Sequence, residues 1–182
     1  MAIVLAPKFA IPVIAAAIAA SAGLWKEAAP ESAAGPAYGA MITQLDASVV
    51  AEDAARRFER ADLDNSGALD ADEYATQALV TAELARVNHF APMRIGMSVG
   101  KVALPASVPA SVNAGEREAI LRSSSIVFQT IAGDDRKISR QEFVGAALEQ
   151  MRASDMDRNG ALTGSELSTF SMRQAKVGIA AS

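Results

Sequence analysis

The sequence of 182 residues contains no cysteine and only one histidine. Without cysteine the chain has no disulfide bond, no thiolate metal site and no thiol nucleophile. A single histidine also excludes a zinc site built from several imidazoles. That residue, His89, stands beside Phe90 and Pro92, where we expect a loop or surface position. Metal sites of the sulfur and multi-histidine kinds are therefore excluded.

The chain also lacks an excess of positive charge and any familiar catalytic motif. It has 17 Lys and Arg against 21 Asp and Glu, which gives a formal net charge of −4 and predicts no nucleic-acid partner. No glycine-rich phosphate loop and no nucleophile elbow occurs, so we predict that the protein is not an enzyme. The length suits one domain with a real core and is too short for two large ones.

The amino terminus has the features of a secretory signal peptide. Lys8 precedes an apolar run over residues 9–20, and the small residues Ala20 and Ala22 fit a cleavage site. Residues 1–22 are therefore predicted to be a signal peptide, which makes the mature protein periplasmic or secreted. The alternative is an uncleaved membrane anchor that runs to about Trp25, which is short for a span of roughly 20 residues.

Two further stretches are predicted to be irregular. Residues 23–45 are rich in Ala, Gly, Pro and Ser, which is typical of a flexible tether. Residues 92–112 contain Pro105 and Pro109, which interrupt any helix. The apolar side chains at the start of this second stretch are expected to cover the core, and the alternative is that they contact a partner. They are Met93, Ile95, Met97 and Val99.

The most informative features are two segments of twelve residues, 62–73 and 155–166. Each has oxygen-bearing residues at alternate positions, a glycine at position 6 and a glutamate at position 12. A calcium ion takes six to eight oxygen ligands, and a short loop supplies them in this pattern. The glycines, Gly67 and Gly160, allow the sharp turn in the middle of such a loop.

These segments resemble the calcium loops of EF-hand proteins. The resemblance implies that residues at positions 1, 3, 5, 7, 9 and 12 bind Ca²⁺, with a backbone carbonyl at position 7. In the first loop the implied ligands are Asp62, Asp64, Ser66, the Ala68 carbonyl, Asp70 and Glu73. In the second loop they are Asp155, Asp157, Asn159, the Ala161 carbonyl, Thr163 and Glu166. Ser66 departs from the usual Asp or Asn but still offers an oxygen.

Helices are predicted to enter and leave both loops. Apolar residues at spacings of three and four precede the first loop, as on one face of a helix: Val50, Ala54, Phe58 and Ala61. Within the loops, position 9 stands three residues before the final glutamate, which is the capping-box spacing that starts a helix. A further helix is predicted to begin at Asn113, so that the irregular stretch separates a motif at 46–90 from a helical unit at 113–178.

A third, degenerate loop is predicted over residues 131–142. It keeps the apolar Ile138 at position 8 and Glu142 at position 12, but it lacks two carboxylates and has Arg136 in place of the glycine. We interpret it as the structural half of an EF-hand pair that holds no calcium. The alternative, an accidental weak site at Asp134 and Asp135, has too few carboxylates for the coordination number of the ion.

The spacing of the loops suggests how they pair. The residues between Glu142 and Asp155 read as one helix about 20 Å long, which places a loop at each of its ends. We therefore hypothesise that the two intact loops pair with each other, with Leu69 beside Leu162. The degenerate turn would then only brace the helices.

Taken with the resemblance, the sequence predicts an all-α EF-hand protein of an exported, bacterial type, with short β bridges between paired loops and an EF-hand domain over residues 46–178. Two calcium ions are the expected partners. The expected role is that of a calcium-responsive protein that acts on a protein target. The alternative is a calcium buffer, or a structural protein that calcium stabilises.

Overall fold

The computed structural model describes residues 39–178, so the predicted signal peptide (1–22) and most of the predicted tether lie outside the described residues. Within that range the chain forms five α-helices and three two-stranded pairs. In chain order the elements are β1 (Gln44–Asp46), α1 (Ala47–Ala61), β2 (Ala68–Leu69), α2 (Ala71–Asn88), β3 (Phe90–Ile95), β4 (Ser98–Ala103), α3 (Ala114–Ala132), a 3₁₀ turn (Gly133–Asp135), β5 (Ile138–Ser139), α4 (Arg140–Arg152), β6 (Ala161–Thr163) and α5 (Gly164–Gln174).

The fold is mainly helical, as predicted, but "all-α" omits a real hairpin. Strands β3 and β4 pair antiparallel from Phe90↔Ala103 to Ile95↔Ser98, where the prediction was an irregular stretch. The hairpin turns at Gly96, whose φ of +56° is readily accessible to glycine. Met93 and Val102 face the core from its two strands, so Met93 covers the core as expected. Met97 lies at the turn and is exposed.

The helices begin where the sequence places capping residues. Asn113 caps α3 by accepting a hydrogen bond from Glu116 N at 2.9 Å, and the Glu116 carboxylate accepts one from Asn113 N at 3.0 Å. Ser139 and Glu142 form the corresponding box at the start of α4. Each box satisfies two backbone N–H groups that would otherwise lack a partner in the first helical turn. The four apolar residues predicted to form the buried face of α1 are all buried.

The pairing of the loops differs from the hypothesis. Leu69 of the first loop pairs with Ile138 of the degenerate loop, and Leu162 of the second loop pairs with Leu45 in β1. The predicted contact between Leu69 and Leu162 is therefore wrong. The degenerate loop does act as the structural half of a pair, as predicted, because β2 and β5 join the two loops.

The packing of α1 against α4 explains why each intact loop pairs with a different strand. Each of these helices follows one short strand and leads into one intact loop. Because β1 pairs with β6 and β2 with β5, the two helices run antiparallel, and the two intact loops lie at opposite ends of the helix pair. An intact loop can therefore reach only the strand that precedes the other helix.

Each strand pair anchors its own hydrophobic cluster. The cluster at β2 and β5 contains the aromatic rings of Phe58, Phe128 and Phe143, and the rings of Phe58 and Phe143 meet edge to face at 6.0 Å. The cluster at β1 and β6 contains Met151 and Phe170 and also takes in the inner face of the hairpin. Both intact loops are thus attached to the core through their position-8 residues, Leu69 and Leu162.

The end of the predicted tether is structured. Gly39 N donates to Val99 O at 2.7 Å, and Ile42 N donates to Lys101 O at 2.9 Å, so this segment lies along β4. Leu45 is fully buried. The flexible segment predicted over residues 23–45 is therefore too long at its carboxyl end, because Leu45 is needed to pair with Leu162.

Helix α2 buries three alanines and Arg86, and it exposes three of its larger apolar residues. The buried side chains are those of Ala78, Ala82, Ala85 and Arg86, whereas Val80, Leu84 and Val87 are exposed. This is the reverse of an ordinary amphipathic helix. None of the helices formed by residues 39–178 is long and apolar enough to cross a membrane.

Candidate metal centre

The backbone of the first loop is folded around its own carboxylates. Asp62 Oδ1 accepts a hydrogen bond from Ser66 N at 2.9 Å, and Asp62 Oδ2 accepts one from Gly67 N at 2.9 Å. Asp64 Oδ1 also accepts from Ser66 N at 2.9 Å. Two residues with positive φ, Asn65 at 56° and Gly67 at 83°, reverse the chain so that these N–H groups point inward.

Glu73 closes this loop from the first turn of α2. Its Oε1 accepts a hydrogen bond from Leu63 N at 2.8 Å, and its Oε2 accepts one from Asp70 N at 3.0 Å. Asp70 in turn caps α2, because its Oδ1 accepts from the N–H groups of Asp72 and Glu73 at 2.9 Å each. The prediction that position 9 caps the exiting helix is therefore confirmed at Asp70.

The second loop repeats the backbone hydrogen bonds to the carboxylates at positions 1, 3 and 12. Gly160 N donates to Asp155 Oδ2 at 3.0 Å, and Asn159 N donates to Asp157 Oδ1 at 3.1 Å. Glu166 Oε1 accepts from Met156 N at 2.8 Å, and its Oε2 accepts from Thr163 N at 3.1 Å. Arg158 and Gly160 have φ values of 59° and 85°, at the same loop positions as Asn65 and Gly67.

The carboxylates of each loop are close enough to share one ion. Ligand oxygens of Asp62, Asp64 and Glu73 lie within 4.8 Å of one another, and those of Asp155, Asp157 and Glu166 do the same. Oxygens about 2.3–2.6 Å from a common Ca²⁺ lie at most about 5 Å apart, so both groups fit this ion. A hard cation with oxygen ligands suits this donor set, which contains no sulfur or imidazole.

The remaining predicted ligands are placed around these carboxylates. The Ser66 hydroxyl donates to Ala68 O at 2.8 Å, so positions 5 and 7 of the first loop contact each other. In the second loop, Asn159 Nδ2 donates to Asp157 Oδ2 at 2.9 Å, and Asn159 Oδ1 accepts from Ala161 N at 2.8 Å. These four residues, Ser66, Ala68, Asn159 and Ala161, would complete the coordination only in part, and the full twelve-residue ligand set remains a prediction.

The hydrogen bonds keep key carboxylates charged. The backbone N–H of Ser66 is the main cause of a lowered pKa at Asp64. At Glu166 the backbone N–H of Thr163, followed by that of Met156, lowers the pKa below its ordinary value. Both groups are therefore ionised at neutral pH, in the form that binds a cation.

The degenerate loop is built differently. A 3₁₀ turn at Gly133–Asp135 replaces the ligand-bearing arc, and Arg136 takes up positive φ at 55°, at the position where the intact loops have glycine. Across residues 39–178, carboxylates come together as possible metal ligands only in the two intact loops, and Asp134 and Asp135 belong to neither group.

Position 2 of each loop also contributes to the site, although it was not among the predicted residues. Leu63 and Met156 occupy this position, and the N–H of each binds the glutamate that closes its loop. Their side chains are nevertheless 73% and 77% exposed. The available signal was a large apolar residue between two acidic ones in both loops.

Comparison with known proteins supports the metal assignment. Residues 55–79 match the family model described as EF hand, a segment that spans the end of α1, the first loop and the start of α2. No curated protein and no solved structure gave a significant match. The family match and the loop geometry agree on Ca²⁺ as the bound ion. The match over residues 55–79 therefore supports the identification of this segment as a calcium-binding EF-hand motif.

Proposed function

We propose that this protein is a calcium-responsive interaction protein, and a single observation carries the proposal. Glu73, which closes the first calcium loop, also lines an apolar groove of about 600 Å³ between α1, α2 and the β3–β4 hairpin. We call this the α1–α2 groove. Leu63, whose N–H binds the Glu73 carboxylate, lines the same groove.

The groove has the surface of a protein-binding site. Its apolar lining includes Leu63, Val80, Leu84, Pro92 and Val99. Large apolar residues exposed side by side and rimmed by polar ones mark interaction surfaces more often than isolated exposed ones do. The reversed amphipathicity of α2 is explained if a partner covers Val80 and Leu84.

The charges around the groove indicate what would bind there. Arg57 is already paired with Asp53, with 2.8 Å between Arg57 Nε and Asp53 Oδ2. The guanidinium groups of Arg60 and Arg94 also line the groove and form no hydrogen bond or ion pair with any residue from 39 to 178. A partner segment with apolar side chains for the groove and acidic ones for these two arginines complements the surface.

Calcium acts on this surface by a short route. Leu63 lies between two carboxylates of the site in sequence, those of Asp62 and Asp64. Its N–H donates a hydrogen bond to the third, that of Glu73. An ion shifts a conformational equilibrium only through its different affinity for the two states. Coordination by these carboxylates changes the loop that positions Leu63, and thereby one end of the groove.

The absence of cysteine makes a direct test simple. Val80→Cys, labelled with an environment-sensitive fluorophore, places the only thiol in the groove, and Ile126→Cys on the exposed part of α3 is the matched control. We expect calcium to change the emission at position 80 and not at 126. Glu73→Gln should remove the response, whereas Glu166→Gln should keep it. Equal responses at both labels would refute the proposal.

The occupant is tested separately with synthetic helical peptides. A peptide of Leu and Glu should bind the calcium-loaded protein more tightly than one in which Lys replaces Glu. Arg60→Gln combined with Arg94→Gln should remove this preference. Equal affinity for both peptides would mean that charge does not select the partner.

A second candidate function is that of a calcium-stabilised structural protein. Leu69 and Leu162 are fully buried, so ordering of both calcium loops is coupled to packing of the core. A ligand that binds only the folded state stabilises it by about 2.7 kcal/mol at a hundred times its Kd. This function predicts a higher melting temperature with calcium and an unchanged fluorophore at position 80.

We further propose that the protein is exported, as residues 1–22 suggest. Their apolar run and small-residue cleavage site support this proposal. The mass of the protein recovered from the cell envelope or medium tests it. A mature chain beginning at Gly23 would support export with cleavage, and the full chain in the cytosol would contradict it.

A further inference from the structure

A second cavity, of about 390 Å³, lies among helices α2, α3, α4 and α5, apart from the calcium loops. Its apolar lining includes Tyr74, Val127, Ile131 and Phe143. Its polar lining comes from Arg57, Gln77, Gln150, Arg173, Gln174 and Lys176. A cavity of this size with an apolar body and a few polar groups is typical of small-molecule sites.

Most polar groups of the cavity have partners within the protein. Arg57 pairs with Asp53 and also donates to Gln174 Oε1 at 2.9 Å. Gln174 Nε2 donates to Gln150 Oε1 at 3.0 Å. These contacts fix the orientation of the polar side chains at this part of the cavity.

Lys176 is the exception. Its ammonium group has no hydrogen bond or ion pair with any residue between 39 and 178. Burial is the main cause of a lowered pKa at Lys176, and repulsion from Arg57 lowers it further. A cation removed from water without a counter-ion is unfavourable, so an anion beside it would relieve both effects.

The backbone holds Lys176 in this place. Its φ is 51°, a left-handed conformation that is uncommon for a residue other than glycine. Arg86, only 1% exposed, donates to Ala175 O at 3.0 Å and to Lys176 O at 3.2 Å. This conformation caps the carboxyl end of α5, where Lys176 N donates to Arg173 O at 3.1 Å and Val177 N donates to Met172 O at 3.0 Å.

We propose that this cavity binds a small organic anion, a monocarboxylate with an aliphatic or aromatic body, with Lys176 as its counter-ion. The body would lie against Tyr74, Ile131 and Phe143. Arg173, whose guanidinium makes a single hydrogen bond at 3.4 Å to Ala153 O, is the second cation available to the carboxylate. Among residues 39–178, Glu149 is the only acidic residue of the lining, and it is paired with Arg152 and neutralises neither Lys176 nor Arg173.

Calorimetric titration of the calcium-saturated full chain with octanoate tests the proposal. Octan-1-ol, which has the same apolar body without the charge, is the ligand control. We expect octanoate to bind more tightly than the alcohol. Lys176→Met should lower the affinity for octanoate by about ten-fold or more. Arg140→Gln, which removes an exposed positive charge outside the cavity, should leave the affinity unchanged.

A second pair of variants locates the ligand. Ala146→Leu fills the cavity, and Val80→Gln alters only the α1–α2 groove. Octanoate binding should be lost in the first variant and kept in the second. Unchanged binding in Lys176→Met, equal binding of the alcohol, or loss only in Val80→Gln would each overturn the proposal. Lys176→Met should fold with at least the wild-type melting temperature, because it removes an unpaired cation.

Discussion

Truncation of Leu69 tests both the packing and the pairing of the first loop. Leu69 is fully buried among Phe58, Phe128, Ile138 and Phe143, and its backbone pairs with Ile138. Leu→Ala at a core position destabilises a protein by about 2–5 kcal/mol, depending on how far the site collapses. We expect about 3 kcal/mol or more for Leu69→Ala, because the strand pair and three rings hold the walls of the cavity apart.

Double-mutant cycles identify the partner of this residue. Ile138→Val and Leu162→Val should each lower the free energy of unfolding by about 1 kcal/mol. The effects of Leu69→Ala and Ile138→Val on the free energy of unfolding should depart from additivity by at least about 0.5 kcal/mol. The effects of Leu69→Ala and Leu162→Val should add within about 0.5 kcal/mol. Urea unfolding of the calcium-saturated proteins measures all five variants. Coupling to Leu162 instead of Ile138 would refute the observed pairing.

Three further predictions concern residues outside the carboxylate clusters. The Asn113 N–H, followed by the Arg86 guanidinium, lowers the pKa of Glu116 below its ordinary 4.5. The Glu116 carboxylate therefore stabilises the fold above that pH, and this stabilisation is lost as the pH falls through the pKa of Glu116 in the folded protein. The difference in unfolding free energy between wild type and Glu116→Gln should therefore shrink on acidification, and a difference independent of pH would contradict this. Arg86→Met should destabilise the protein by about 3–5 kcal/mol in urea unfolding, because it leaves a half-buried carboxylate and three carbonyl groups without their donor. A loss below about 1 kcal/mol would show that the hydrogen bonds of Arg86 contribute little to stability. Gly67→Ala should weaken calcium binding at the first site through backbone strain alone, because φ is +83° and the added Cβ meets no atom within 4 Å; unchanged affinity would count against that reason.

The calcium loops were readable from the sequence because their signals are local. Ligand spacing, the glycine at position 6 and the capping box all lie within twelve residues, and the structure places Asp62, Asp64 and Glu73 together as the spacing implies. The same holds for the helix start at Asn113, whose capping partner is only three residues away. Local hydrogen bonds decide these features, so a single sequence contains them.

The partner of each loop was not readable, because tertiary packing decides it. A strand as short as β1 offers one apolar residue, Leu45, and nothing nearby in sequence indicates that it pairs with Leu162. The hairpin was missed for a related reason. Pro92 lies in β3, at the edge of its sheet, where a residue without an N–H is tolerated.

The exposed face of α2 was also beyond sequence reasoning. Periodicity predicts which residues share a face, but only the packing of α3 against α2 explains why the alanine face is inside. Arg86 is buried because the Glu116 carboxylate and the carbonyls of Ser111, Ala175 and Lys176 accept hydrogen bonds from its guanidinium. None of these partners lies within the same helix.

Calorimetric calcium titration, with the full chain stripped by chelator and magnesium present, tests the central claim most directly. We predict two calcium-selective sites in the wild type. Glu73→Gln should leave only the site at 155–166 and Glu166→Gln only the site at 62–73, both in folded proteins. No calcium heat in the wild type, or unchanged stoichiometry and affinity in both variants, would contradict the assignment of these loops as the metal centres.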